Sequence, residues 1–221
     1  MFNPQTIRQD FPIFTHNPQG DKLVYLDSAA TSQKPQVVLD AITDYYQTTN
    51  ANVHRGVHQL SDKSTQAWED SRATIAEFFD ARSDELIITR NTTESINGVA
   101  YGWGAHNLQP DDIILTSLLE HHSNIVCWQE LAKRTGATVE YIDITNEGRL
   151  DRKSLTKKLS LPKVKLLALT HVSNTLGTLN PIAEIIAEAR ALQPNIRVLI
   201  DAAQSAPHIP VSFAKLDADF L

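Results

Sequence analysis

The chain has 221 residues, of which 42% are hydrophobic, and a formal net charge of -6. That content suffices for one sizeable core and excludes a disordered chain, while the acidic balance and the lack of any basic run exclude a nucleic-acid footprint. No stretch approaches the roughly 18 apolar residues that a bilayer span needs, and the single cysteine, Cys127, excludes an internal disulfide or a multi-thiolate metal site.

Residues 1–14 lack the apolar core of a signal peptide, so a reducing, cytoplasmic location is expected. Residues 1–60 carry weak strand signals and are expected to form an N-terminal segment outside the main sheet, with residues 61–221 as the large domain. Val37, Val38, Ala41, Ile42, Tyr45 and Tyr46 keep helical spacing, as do Ala67, Trp68, Ile75, Phe78 and Phe79. Each set predicts a helix with one face packed on a core.

Short β-rich runs then alternate with helix-like segments, at residues 86–89, 113–117, 139–144, 166–170 and 198–200. The alternation predicts an α/β fold, a mainly parallel sheet flanked by helices. Pro181 opens a further helix at Ile182, because proline is tolerated in the first turn, where its missing N–H costs nothing; Gln193-Pro194-Asn195 closes it. Phe220-Leu221 reads as the opening of another strand. The sheet is therefore expected to be incomplete at the C-terminus, with an edge prone to association.

Four polar motifs stand where apolar runs end. Asn91 with Glu94 three residues on has the capping-box pattern, which puts Thr92 and Thr93 in a first helical turn. Such a turn is either an ordinary cap or a seat for phosphate, since its free amides and the positive end of the helix dipole attract an anion. In Glu120-His121-His122-Ser123-Asn124 an imidazole is placed to stack on a flat ring and move a proton near neutral pH, or to sit in a solvated loop. Thr170-His171-Val172-Ser173-Asn174 offers an amide to a ring oxygen, or forms a turn. Asp201-Ala202-Ala203-Gln204 puts a carboxylate at a strand's carboxyl end, where ligands bind in open α/β sheets, or caps a helix. No H-E-x-x-H spacing occurs, and His54 and His58 lack an acid between them, so no metal is expected. A hydroxyl cluster, an imidazole, an amide and a carboxylate in chain order are what pyridoxal phosphate requires.

The motifs at 120–126, 170–174 and 201–204, together with Asp27-Ser28-Ala29-Ala30-Thr31 and His54-Arg55-Gly56-Val57-His58, resemble group II cysteine desulfurases of the SUF type, within the class V aminotransferase superfamily. The resemblance covers essentially the whole chain. It implies the large domain of a fold type I pyridoxal-phosphate-dependent transferase, working as a homodimer. It further implies that Thr93, with Thr92, binds the phosphate, that His121 stacks on the ring and takes part in proton transfer, and that Asn174 contacts the ring oxygen. Asp201 would pair with the ring nitrogen, and Ala203 and Gln204 would complete the cofactor contacts. Ala29, Ala30, His54 and Arg55 match segments lining the substrate entrance or dimer interface.

The implied reaction converts L-cysteine to L-alanine with transfer of sulfur to an enzyme cysteine for iron–sulfur cluster assembly, through a separate sulfur-acceptor protein; L-selenocysteine is an alternative substrate. The family's Ser-Gly-His-Lys motif, whose lysine holds the cofactor, is expected just beyond Leu221, and its nucleophilic cysteine further on. Neither occurs in this sequence, so the chain by itself is expected to be inactive and to bind the cofactor weakly. Cys127 lies in an apolar helical stretch and reads as a buried, inert thiol. Competing readings are another class V enzyme (a selenocysteine lyase, a kynureninase-like hydrolase or an aminotransferase) and a non-catalytic fragment that associates with an intact desulfurase.

Overall fold

The computed structural model describes residues 3–15, 20 and 22–221; Met1 and Phe2 of the N-terminal stretch read above lie outside the described residues. The chain divides into two compact units, Met1–Thr74 and Ile75–Leu221.

The first unit holds α1 (Pro4–Arg8), α2 (Gln36–Asp44), which runs on into a π-helical turn at Tyr45–Thr49, and the start of α3 (Gln59–Phe78). Its described residues contain no strand. Both expected helices form, but the expected burial does not follow. Val37 is 71% exposed, Tyr46 is 69% exposed, and α2 has no buried residue; Trp68 and Phe78 of α3 are exposed as well. Periodicity sets the helix because it acts within one segment, whereas burial needs a second surface of matching shape.

The second unit is built on a sheet. Its elements are α4 (Thr92–Val99), α5 (Ala105–Asn107), β1 (Ile113–Ser117), α6 (Val126–Thr135), β2 (Thr138–Ile142), α7 (Arg152–Leu159), β3 (Val164–Thr170), α8 (Ile182–Leu192), β4 (Arg197–Asp201) and α9 (Phe213–Leu216). The four strands lie in the order β2-β1-β3-β4, and every pairing is parallel.

Successive strand residues point to opposite faces, and here both faces are covered, which is why the strands read as unbroken apolar runs. Leu115, Leu167, Leu169, Val198 and Ile200 share one core with Leu155 and Leu159 of α7 and with Ile182, Ile185 and Ile186 of α8. Ile114, Leu166, Ala168 and Leu199 share the other with Ile96 of α4 and with Trp128 and Leu131 of α6. Each fully buried leucine contributes roughly 1.5–3 kcal/mol relative to an exposed one.

Helix ends follow local chemistry. Gly136 closes α6 in the left-handed conformation at φ 78°, where a side chain would be strained and a Cβ would also press on the Pro110 ring at 3.3 Å. Pro181 sits at the cap position of α8, one residue before the first helical one, and the helix ends at Leu192 ahead of Gln193.

One expected strand is absent. Residues 86–89 form an irregular segment in which Ile87 is 82% exposed, because no neighbouring strand among the described residues offers a ladder to it. Beyond β2, Ile144 pairs separately with Leu150 in an antiparallel bridge. At the other end Phe220 lies parallel to Leu199 on the outer flank of β4, and its carbonyl accepts from the Ile200 amide at 2.9 Å. Among the described residues no helix is long and apolar enough to cross a membrane.

Candidate active site

Parallel pairing gathers the carboxyl ends of the strands on one edge. Thr170, the last residue of β3, stands in register with Asp201, the last of β4, and β1 ends beside them at Ser117. The loops that follow are where an open α/β sheet binds ligands.

Asp201 is only 6% exposed. Burial pushes its carboxyl above the usual range; the Ala203 amide, donating to Oδ1 at 3.0 Å, and the charge of nearby His121 pull it back. The carboxyl and the imidazole are thus electrostatic neighbours. His121 itself is exposed, and its ring is held from within its own loop: the Ser123 amide donates to Nδ1 at 3.2 Å, with Ser123 Oγ at 2.7 Å. A backbone N–H can only donate, so Nδ1 accepts and the neutral ring carries its proton on Nε2.

Asn91 caps α4 in extended conformation, its side chain accepting from the Glu94 amide at 2.9 Å. The expected capping box is only half made. Glu94 reaches back past Asn91 to the Arg90 amide at 2.6 Å and to the Arg90 guanidinium at 3.0 Å, because the arginine adds a charge that the Asn91 amide lacks. Thr92 and Thr93 occupy the first turn, the former half-buried and the latter exposed.

A cavity of about 680 Å³ brings Thr92, Asp201 and Ala203 together, with Thr89, Ser95 and Phe220 also on its wall. Helix α4 packs on the short 3-10 turn His122–Asn124, next to His121. Gln204 is half-buried in the turn after Asp201. Asn174 lies exposed on a small hairpin closed by the antiparallel bridge of Val172 and Leu179, with Ser173 donating to the Thr178 carbonyl at 3.0 Å; the turn conformation is therefore realised there. Ala29, Ala30, His54 and Arg55 belong to the Met1–Thr74 unit and are exposed, and His54 Nε2 lies 3.1 Å from Glu69 within it. Among the described residues no group of three or more His, Cys, Asp or Glu side chains is placed to hold a metal.

Cys127 is buried near the start of α6, its thiol donating to the Ser123 carbonyl at 3.0 Å, and burial pushes that thiol up to about 12. It is not a nucleophile at neutral pH.

Two buried groups carried no role in the sequence reading. Glu120 is 8% exposed, and burial raises its carboxyl to about 7 against the bonds from Ser117, Asn124 and the Thr170 backbone, with Asp201 adding to the rise. His171 donates its amide to the Asp201 carbonyl at 2.9 Å, while its own buried Nδ1 has no hydrogen-bond partner among the described residues. The available signal for Glu120 was local spacing: Ser117 three residues before it and Asn124 four after it are both short polar side chains able to reach back to it.

A family profile described as aminotransferase class V matches residues 24–221. A "Probable cysteine desulfurase" of Synechocystis sp. is 48% identical over 217 residues, 98% of this chain and 51% of the relative. The apo cysteine desulfurase of Thermococcus onnurineus superposes with a TM-score of 0.90 at 39% identity, over 100% of this chain and 53% of that one. A C-DES mutant with glycine covalently linked to its PLP cofactor gives a TM-score of 0.82 at 28% identity, over 96% of this chain and 54% of that one. The chain spans about half the length of the curated relatives it matches.

Proposed function

The chain belongs to the class-V aminotransferase family, and from that premise we propose that the whole protein is a pyridoxal-phosphate-dependent cysteine desulfurase. It converts L-cysteine to L-alanine and leaves the sulfur as a persulfide on one of its own cysteines, ready for an acceptor protein of iron–sulfur cluster assembly. L-selenocysteine is a second substrate on this reading, which further takes the protein to be a cytoplasmic homodimer of the SUF-type branch, with residues 61–221 holding the cofactor and residues 1–60 outside the sheet.

The observation that carries the reading is the buried Asp201 carboxyl at the end of β4, next to His121 and sharing a cavity with the start of α4. This donor set suits the cofactor. A carboxyl pushed toward its neutral form gains most from a cationic partner, and a protonated pyridine nitrogen is one. The amides and hydroxyls of Thr92 and Thr93 hold the phosphate. His121 covers the ring face, while Gln204 and Asn174 serve the ring oxygen, beside Ala203. When bound, pyridoxal phosphate supplies a ring that takes up the electron pair released at the substrate α-carbon. Asp201 keeps the ring nitrogen protonated, and His121, its proton on Nε2, moves a proton at the substrate side.

Among the described residues, neither lysine nor cysteine lines the cavity with Thr92 and Asp201. On this reading residues 1–221 alone bind the cofactor without a covalent link and do not turn over. The experiment is a direct comparison: the full-length protein forms alanine from cysteine and its cofactor is fixed to a lysine by borohydride, whereas the 221-residue chain shows only a reversible absorbance change. A full-length protein loaded with pyridoxal phosphate that forms no alanine overturns the proposal.

A further inference from the structure

Resting on the reading above, in which His121 covers a bound ring, we propose that Glu120 is the residue that positions His121, because its carboxyl ties together the two ends of the loop that carries the imidazole. Oε1 accepts from Ser117 Oγ at 2.5 Å, at the last residue of β1. Oε2 accepts from Asn124 Nδ2 at 2.7 Å, where the loop closes ahead of α6. His121 stands between these two anchors.

The links continue in both directions. Asn124, fully buried, donates its amide to the His121 carbonyl at 2.8 Å and accepts from the indole N–H of the equally buried Trp128 at 2.9 Å. Ser123, next to it, holds the imidazole at Nδ1. Hydrogen bonds therefore lead from Trp128 in α6 through Asn124 to the Glu120 carboxyl and to the His121 carbonyl, while the ring itself is held by Ser123, the residue joined to Asn124 along the chain. The Thr170 backbone, at the end of β3, also steadies the carboxyl, so the loop is registered against a second strand.

A carboxyl is a costly choice for such a place, since burial disfavours its charge. An apolar side chain would avoid that cost but would leave Asn124 Nδ2 buried without its acceptor and would take from Ser117 Oγ its side-chain partner, leaving it the Leu119 amide at 3.1 Å. Glutamine meets both needs: its oxygen accepts from Asn124 and its amide donates to Ser117 Oγ. Alanine meets neither.

The two variants supply the test, carried out on the full-length protein with 15N-labelled histidine, first without cofactor, with the His121 signals identified by their loss in His121→Gln. Wild type and Glu120→Gln are expected to show the single tautomer protonated at Nε2. Glu120→Ala is expected to show averaged tautomers and an approximately tenfold weaker dissociation constant for pyridoxal phosphate. Unchanged His121 signals and affinity in Glu120→Ala overturn the proposal, and so does a folded Glu120→Gln protein that behaves like the alanine variant. If Glu120→Ala does not fold, Ser117→Ala removes one anchor only; a shifted His121 signal supports the role and an unshifted one overturns it. Should the wild-type protein bind no pyridoxal phosphate, the proposed function fails, while the imidazole measurement still decides this inference.

Discussion

Asp201 and His121, far apart along the chain, are neighbours at the carboxyl edge of the sheet: burial raises the Asp201 carboxyl, and the imidazole charge counts among the influences that lower it again. A buried acid with one such neighbour is poised to accept a further cation. Asp201→Asn keeps the shape and the acceptor for the Ala203 amide but removes the charge. In the full-length protein, alanine formation from cysteine is expected to fall by about 100-fold or more, with the protein still folded by circular dichroism. Undiminished turnover would remove Asp201 from the proposed chemistry.

On the proposed function, in which the start of α4 holds the phosphate, Asn91 links helix stability to anion binding. Its side chain satisfies the Glu94 amide at the start of α4, so Asn91→Ala is expected to cost about 1 kcal/mol, read as a lower denaturant midpoint with an unchanged slope. Asn91→Asp retains the acceptor and is expected to recover most of that loss. Inorganic phosphate should protect the wild type against denaturation more than the alanine variant.

The Glu120 carboxyl sets a direction for stability against pH. Its folded value of about 7 lies above its ordinary 4.5, so the folded state holds the proton more tightly than the unfolded chain does. The contribution is fully present below about pH 4.5 and is lost as pH rises through about 7, on the order of 3 kcal/mol across that window. Asp201, raised by burial in the same sense, adds a slope that begins lower. Denaturation curves between pH 4 and 8 should show the decline, and Glu120→Gln should flatten its upper part; a stability that climbs over that range in wild type contradicts the assignment.

Cys127, held by the Ser123 carbonyl and raised by burial to about 12, has a vanishing thiolate fraction at pH 8. Thiol labelling of the native protein, followed by peptide mapping, should modify Cys127 more than about 100-fold more slowly than free cysteine. Cys127→Ala should leave sulfur transfer intact. Rapid native labelling would mean that the thiol reaches solvent.

The sheet was legible because strands buried on both faces need continuous apolar runs, and residues such as Leu166–Leu169 are of that kind. Residues 86–89 have a similar composition without a partner strand, and composition cannot announce whether a partner exists. The stripe on α2 shows the same limit, since Val37 and Ile42 fix a helix but nothing in their spacing supplies a covering surface. At the site, Asp201 was legible from its place after Val198-Leu199-Ile200. Glu120 was not, although its motif was plain: an acid beside two histidines reads as a solvated loop, and two of the groups that act on its carboxyl, the Thr170 backbone and Asp201, arrive from distant strands. The split of the capping box was hidden for a different reason, because Arg90 competes for the Glu94 carboxylate only once α4 has formed.

The strand order β2-β1-β3-β4 also governs assembly in time. β1 occupies an interior position but is synthesised first, and one of its flanks stays unsatisfied until β3 has left the ribosome. During that interval Ile114 and Leu115, sealed in the finished protein, face solvent beside open backbone groups. Nascent chains are therefore most vulnerable to misassociation after β2 pairs and before β3 docks, and a chaperone that shields a hydrophobic strand edge would act in that window.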